Sequence, residues 1–381
     1  MNTRLPTSSI DARERRATRL LFLIVGYAAA AWAALVPFAK ARTALDEAGL
    51  GLVLLCMGVG SILSMPVAGA ASTRYGCRSV LVVASLLICL TLPLLATVTS
   101  VPALAVALFF FGVALGVADC VMNVQAVIVE RDSGMPLMSG FHGFYSLGGI
   151  VGAVCTSVLL TVGASPLASI WVAIALILAA LLWSRSGLLE YGNPAEGPAF
   201  AMPRGVVLFL GLLCFIVFLV EGSMMDWSAV FLSQQHGVAS AQAGLGFASF
   251  SLAMTLGRLS GDAIVARVGR RRVVAVGGLL AAAGIALATT IDSWQIALLG
   301  YALVGLGCSN IVPVLFTATG RQTSMPQSVA IPALTTLGYA GILAGPAGIG
   351  FIAHHSSLSA TFLGVAALMV VVAISSRWLR V

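Results

Sequence analysis

The stretch Arg74-Tyr75-Gly76-Cys77-Arg78-Ser79-Val80 returns 193 residues later, Gly76 to Gly269, as Arg267-Val268-Gly269-Arg270-Arg271-Arg272-Val273. Each copy is a short basic knot between two long apolar runs. A second matching pair, Ser146-Leu147-Gly148 and Thr336-Leu337-Gly338, lies 190 residues apart. A chain that resembles itself at half its length is built as two copies of one unit. Two parallel copies facing each other across a central path suit a carrier whose halves rock to expose a midplane site to each side in turn.

The surroundings of the knots identify the solvent. Of 381 residues, 60% are hydrophobic and only 9% charged, and the mean hydropathy is +1.05. A soluble domain carries about 25% charged residues, so most of this surface must face lipid. Each spanning helix needs roughly 20 apolar residues. Runs that fit are predicted at 20–39, 49–71, 79–97, 101–127, 139–162, 166–184, 205–232, 241–266, 272–290, 294–317, 328–353 and 358–377. Backbone groups in hydrocarbon must be satisfied within the segment, so these are helices. The expected fold is an all-α membrane protein of twelve transmembrane helices in two pseudo-symmetric six-helix bundles. Its parts are a tail (1–19), a first bundle (20–184), a polar linker (185–204, with Glu190, Asn193, Pro194, Glu196, Pro198, Pro203 and Arg204) and a second bundle ending in a short tail (205–381).

Charge sets the orientation. With an N-terminus in the cytoplasm, 18 of the 20 Lys and Arg fall on the cytoplasmic side, and Lys40 and Arg42 alone on the other. This is the positive-inside pattern, so both ends of the chain are expected in the cytoplasm. The net charge of +7 is then a topology signal, and nucleic acid is not an expected partner. The first run follows Arg4, Arg13, Arg15, Arg16 and Arg19 and lacks a small-residue cleavage site, so it reads as an uncleaved span. Cys56, Cys89, Cys120, Cys155, Cys214 and Cys308 lie in apolar runs and Cys77 in a basic loop. They read as free thiols packed like small apolar residues. No Gly-Lys-Ser/Thr phosphate loop supports ATP drive, and no catalytic or metal spacing is present. His142 stands alone and His354-His355 sits in a short loop. An enzyme, a cofactor and a metal site are not expected.

Ionisable groups inside spans are costly and need a reason. Glu221 lies 15 residues into its span, about 22 Å deep at roughly 1.5 Å per residue, within a core about 30 Å thick. It reads as a proton carrier or substrate acceptor, or as a neutral acid bonded between helices. Asp226, five residues further out beside Trp227, reads as an interfacial acid or a substrate contact. Asp119 and Asn123 share one helix face. They hold a proton or a substrate hydroxyl, or tie the fourth helix to the fifth. His142 and Tyr145 lie at a similar depth, and a neutral His142 donating to Asp119 would tune its proton affinity. Gly112-x-x-x-Gly116 and Gly345-Pro346-x-Gly348-x-Gly350 mark close helix packing or hinges. No Arg or Lys is expected at the middle of any span, so neutral or cationic polar solutes are favoured over strongly anionic ones.

The loop Gly69–Arg78 resembles the Gly-x-x-x-Asp-Arg-x-Gly-x-Arg signature of the major facilitator superfamily, with Gly69, Arg74, Gly76 and Arg78 matching. Thr73 stands at the Asp position. In the family that Asp helps lock the halves at the cytoplasmic side. Glu130 is the candidate to pair with Arg74 or Arg78 instead. Gly261-Asp262 and Arg267-x-Gly269-Arg270-Arg271 keep a looser second copy. The stretches WAALVPFAKAR (32–42), MNVQA (122–126), GFHGFYSLGGIVGA (140–153), EGSMMDWSAVFL (221–232) and TLGYAGILAGPAGIG (336–350) resemble the YbjJ-like branch of bacterial inner-membrane proteins. That branch is distantly similar to proton-coupled fucose-type sugar symporters.

The resemblance implies a cytoplasmic gate from Gly69, Arg74, Gly76, Arg78, Glu130, Asp262, Arg267, Gly269 and Arg271. It implies a path lined by the first, fourth, seventh and tenth spans, which adds Tyr27, Trp32, Asn310 and Tyr339 to Asn123, Tyr145 and Asp226 as substrate contacts. Proton coupling falls to Glu221, aided by Asp119 and His142. The fifth span lacks the Gly-Pro pair of the family's drug/proton antiporters. The implied protein is a monomeric, proton-coupled importer of a small polar, neutral, sugar-like solute in the bacterial inner membrane. The alternatives are a proton-coupled exporter of small molecules or drugs and, from another class, a membrane sensor that binds a ligand without moving it.

Overall fold

The computed structural model describes residues 12–194 and 201–379. Arg4, Glu196 and Pro198, named above, lie outside the described residues, as does the side chain of Pro346. Among the described residues the chain is helical, with no strand. In order the helices are α1 (Ala12–Thr43), α2 (Glu47–Thr97), α3 (Val101–Ser133), α4 (Met138–Thr161), α5 (Pro166–Ser184), α6 (Gly205–His236), α7 (Ser240–Ala243), α8 (Leu245–Val268), α9 (Arg270–Thr290), α10 (Trp294–Cys308), α11 (Ile311–Arg321), α12 (Gln327–His355) and α13 (Leu358–Ser375). Ten stretches in this set are long and apolar enough to cross a membrane. α8 carries Arg258, Asp262 and Arg267 and is not among them.

Two predicted boundaries change. The second and third spans join in α2, whose one non-helical residue is Gly76, at φ 77 and ψ 158. The chain nonetheless folds back there. Met57 on the first arm packs against Gly112 of α3, and Leu87 and Leu90 on the second arm line a groove with Ala107 and Phe110 of the same helix. Both arms therefore flank one stretch of α3. The tenth span divides into α10 and α11 at Ser309-Asn310. Pro313 explains the break: it has no N–H to return to the carbonyl of Ser309, four residues back.

Local sequence accounts for the helix ends. Asp46 accepts from the Gly49 amide at 2.7 Å and starts α2. Ser165, followed by Pro166, starts α5, and Ser357 starts α13; these are ordinary N-cap arrangements. Arg42 donates to the carbonyls of Leu95 and Val98 at 2.7 and 2.6 Å, closing the end of α2.

α1 to α5 pack on one another, and so do α6 to α13. The two groups meet where α2 lies on α12, α4 on α8, and α11 on α3 and α4. Helices in lipid gain nothing from hydrophobic exclusion between themselves, so close van der Waals fit must hold them. The α1–α4 seam shows how. Gly26 lies against the Tyr145 carbonyl and Gly148 against that of Leu23, so close that a Cβ at either would overlap it. The outer faces leave Leu52, Leu63, Val83, Leu90 and Trp183 more than half exposed, as a lipid-facing surface requires.

Candidate functional site

The centre of the molecule is organised by Arg258, one of the 18 basic residues that the charge count assigned to the cytoplasmic side. Arg258, the fourteenth residue of α8, is only 5% exposed. Its Nη2 donates to both carboxylate oxygens of Glu221 on α6, at 3.1 and 3.3 Å. Its Nη1 donates to Ser146 Oγ on α4 at 3.0 Å, and its Nε to the Ser309 carbonyl at 3.4 Å. That carbonyl is the one Pro313 leaves free. No Arg or Lys was expected this deep, yet Arg258 is buried beside Glu221. A long apolar run hid Arg258, and the signal for it was a counter-charge of matching depth in Glu221. A buried carboxylate–guanidinium pair needs its remaining donors satisfied to be tolerated, and Ser146 and Ser309 supply that here. Ser146 belongs to the first group of helices, so one guanidinium joins both groups.

Asp119 on α3 contrasts with this. It is 9% exposed, and among the described residues its carboxylate has no hydrogen bond or ion pair. The Asn123 amide donates to the main-chain oxygen of Asp119 at 2.9 Å, not to its carboxylate, and Asn123 Oδ1 is buried without a partner. The pairing expected from their shared face is thus not made. His142 does not donate to Asp119 either. Its ring lies between Phe22 and Phe316, at centroid distances of 5.2 and 5.7 Å, and its Nε2 is unpartnered. Half-buried Tyr145 stands within electrostatic reach of Asp119, Glu221 and Arg258, and half-buried Tyr339 on α12 within reach of Asp119 and Tyr145. Asn310 donates to the Gly257 carbonyl at 3.1 Å and to Ser309 Oγ at 2.9 Å, bracing the turn beside Arg258. Tyr27 and Trp32 are 3% exposed within the helix core, with the Tyr27 hydroxyl unpartnered. Asp226 is exposed and is not brought to the cluster.

A second polar site closes the basic end. Glu130, at the foot of α3, accepts from the amides of Leu137 and Met138, both at 2.8 Å, and from the Thr317 hydroxyl of α11. Arg270 Nη2 stands 3.9 Å away. From the other side Asp262 accepts from the Gly140 amide at 3.0 Å. Two carboxylates, one from each group of helices, thus hold the N-terminus of α4, where the helix dipole and free amides favour negative charge. Arg131 donates to Gln327 Oε1 at 3.1 Å, and Gly69 seats against Pro332 and Ser328. The cavity left among Glu130, Asp262, Arg270 and Thr317 is about 10 Å³, too small for a solute.

The expected pairing of Glu130 with Arg74 or Arg78 is not made. Arg74 is exposed and lies over the ring of Tyr75 at 5.2 Å, and Arg78 pairs with Glu190 of the linker. Thr73 donates back to the Gly69 carbonyl within its own helix. Arg267, Gly269 and Arg271 are exposed and stand outside the contact. Arg270 was quoted in the second motif but not named as a gate residue, and Thr317 and Gln327 were missed. Nothing in the spacing of those two marks them, because their partners come from α3, far away in sequence. Gln125, which the MNVQA motif includes, has a packing role: it donates to Thr18 Oγ1 at 3.0 Å and accepts from the Leu189 amide at 3.2 Å.

The family model of the Major Facilitator Superfamily matches this chain over residues 20–229 and again over 210–381. The chain belongs to that superfamily. An uncharacterised MFS-type transporter of Yersinia pestis is 51% identical, covering 99% of each chain. The membrane protein MosC of Rhizobium meliloti is 31% identical over 93% of this chain and 87% of its own. Among solved structures, the fucose:proton symporter FucP of E. coli superposes with a TM-score of 0.81 at 15% identity, covering 96% of this chain and 98% of that one. At that identity the likeness establishes the fold. As a member of the superfamily the protein is a multi-pass membrane transporter of small molecules, not an enzyme.

Proposed function

We propose that this member of the Major Facilitator Superfamily is a proton-coupled importer of a small polar, neutral solute. In this reading it has twelve spans: the two arms of α2 count separately, α8 is a span, and α10 with α11 makes one. Residues 20–184 and 205–381 form two pseudo-symmetric bundles around the linker 185–204. The family model matching once per half supports this, as do the near-equal backbone angles of Gly76 (77, 158) and Gly269 (87, 147). The basic end faces the cytoplasm of a bacterial cell, both termini with it, and the protein sits in the inner membrane. One chain supplies the whole route, so a monomer suffices. The motifs quoted above favour the YbjJ-like branch.

One observation carries the mechanism: Arg258 is committed to Glu221, while among the described residues Asp119 nearby has no ion pair. A neutralised pair can cross a low-dielectric step as it is. A lone carboxylate there is costly unless it takes a proton or meets a cation. Asp119 is therefore the proton carrier, and Glu221 holds Arg258 in place. A neutral solute is favoured because the central guanidinium is already paired with Glu221, so among the described residues an anion finds no free counter-charge there. Tyr145 and Tyr339 offer hydroxyls and ring faces to a sugar-like solute. The closed basic end makes this an outward-facing state. Opening inward must release Glu130 from Thr317, Asp262 from Gly140 and Arg258 from Ser146, a two-state change that proton and solute bias.

The test starts with a thermal-shift screen of neutral monosaccharides, followed by vesicles holding the hit under an imposed pH gradient. Asp119→Asn should lose accumulation at least about tenfold yet keep solute exchange. Gradient-driven accumulation by Asp119→Asn at the wild-type level would end this assignment.

A further inference from the structure

Away from the path, at the basic end, a groove of about 450 Å³ opens between the first turns of α1, the end of α5 and Phe144 of α4. Arg13, Arg16 and Arg19 line one side, and among the described residues no carboxylate lines it. Arg13 is fixed by a 2.9 Å bond from its Nε to the Ser186 carbonyl. Arg19 lies over the Phe144 ring at 5.7 Å. Arg16 has no ion pair among the described residues. The rest of the lining is mostly apolar, with Leu20, Phe144 and Trp183 beside Ser184 and Ser186, and Trp183 is 77% exposed. Leu182 beside it is 72% exposed, which marks this side of α5 as lipid-facing.

Three guanidiniums above an apolar wall, at the level where an aromatic ring marks the membrane–water boundary, match one class of ligand. We infer that this groove is a binding site for an anionic glycerophospholipid. Its phosphodiester is held by Arg16 and Arg19, and an acyl chain lies along Phe144 and Trp183. Guanidinium suits phosphate because its planar fork donates two parallel bonds. Arg13, tied to Ser186, holds the two sides of the groove at a fixed separation. The site belongs to the first group of helices alone and shares no residue with the transport path or the closed end.

Native mass spectrometry of the full chain, titrated with phosphatidylglycerol, tests this. Wild type should retain one phosphatidylglycerol against rising activation energy. R16Q/R19Q should bind it about thirtyfold more weakly, at about 1 kcal/mol for each basic residue and tenfold in affinity for each 1.4 kcal/mol. R204Q/R272Q, which removes two basic residues of the same end outside the groove, should bind like wild type. Equal weakening in both variants would reduce the effect to diffuse charge and overturn the site. Equal retention of phosphatidylcholine would overturn the demand for an anion. Displacement of the lipid by millimolar inorganic phosphate would show a free-phosphate site instead. If R16Q/R19Q fails to fold, Trp183→Ala on the exposed face gives a second arm, and unchanged retention of phosphatidylglycerol by it would refute the seat along the α5 wall.

Discussion

The turns at Gly76 and Gly269 share a sequence pattern and almost one backbone conformation, yet they do different things. At Gly76 the linker runs across the turn. The Cys77 amide donates to the Tyr191 carbonyl at 3.3 Å and the Arg78 amide to that of Leu189 at 2.7 Å. A Cβ on Gly76 would overlap the Glu190 carbonyl, whereas one on Gly269 would meet nothing within 4 Å. The first turn is therefore a clamp that fastens the linker to its own bundle. The second stays open to solvent, and its Arg270 reaches toward Glu130 in the other bundle. A repeated motif gives the same backbone twice, and the neighbours decide what each copy is for.

The largest expected effect breaks that contrast directly. Gly76→Ala meets both the penalty of a φ region that L-residues avoid, about 1–3 kcal/mol, and a clash with backbone that cannot move aside. A loss above about 4 kcal/mol, or failure to purify as a folded monodisperse protein, is expected. Gly269→Ala bears the conformational penalty alone, about 1–3 kcal/mol. Equal thermal-unfolding midpoints for the two variants in detergent would show that the linker does not clamp the first turn.

Next in size is the closure beside the second turn. Glu130→Ala leaves the Leu137 and Met138 amides without an acceptor, at about 1–3 kcal/mol for each buried unsatisfied group. It also frees Thr317. The closed state, which alone has the Thr317 bond to Glu130, should lose about 1.5–3 kcal/mol, read as faster maleimide labelling of a cysteine placed at Ser139. Unchanged labelling would mean that Asp262 and Arg131 hold this end without Glu130.

The smallest effect belongs to the side chains around the clamp. Arg78 and Glu190 are paired, but Glu190 is 76% exposed, and such pairs contribute about 0.2–1 kcal/mol. Glu190→Gln should lower the unfolding midpoint by no more than a degree or two and lose even that in high salt. A drop comparable to that of Gly76→Ala would transfer the clamp from the backbone pairing to the ion pair.

How far the site was legible follows the same division. Glu221 and Asp119 could be read from the chain because a charge in an apolar run is expensive wherever it points. Asp262 was visible in the remnant of a motif. Arg258 was misjudged because position along a helix gives depth only to within a turn or two, and arginine is long enough to reach out of a membrane. Its inward direction was set by Glu221, Ser146 and the carbonyl freed by Pro313, on three other elements. The expected partners of Asp119 failed for a similar reason. Asn123 found a nearer acceptor in its own helix, and the His142 ring was taken up by two phenylalanines.

Composition, the spacing of apolar runs and the placing of arginines were enough to say that this chain is helical and lives in lipid. Each of those follows from the cost of exposing a backbone or a charge to hydrocarbon, which acts on every residue alone. Only the tertiary structure decided which charges are paired, which carboxylate is left without a partner and which end is shut. Those are properties of groups brought together from distant parts of the chain, and their energies depend on distances of a few ångströms that no local pattern encodes.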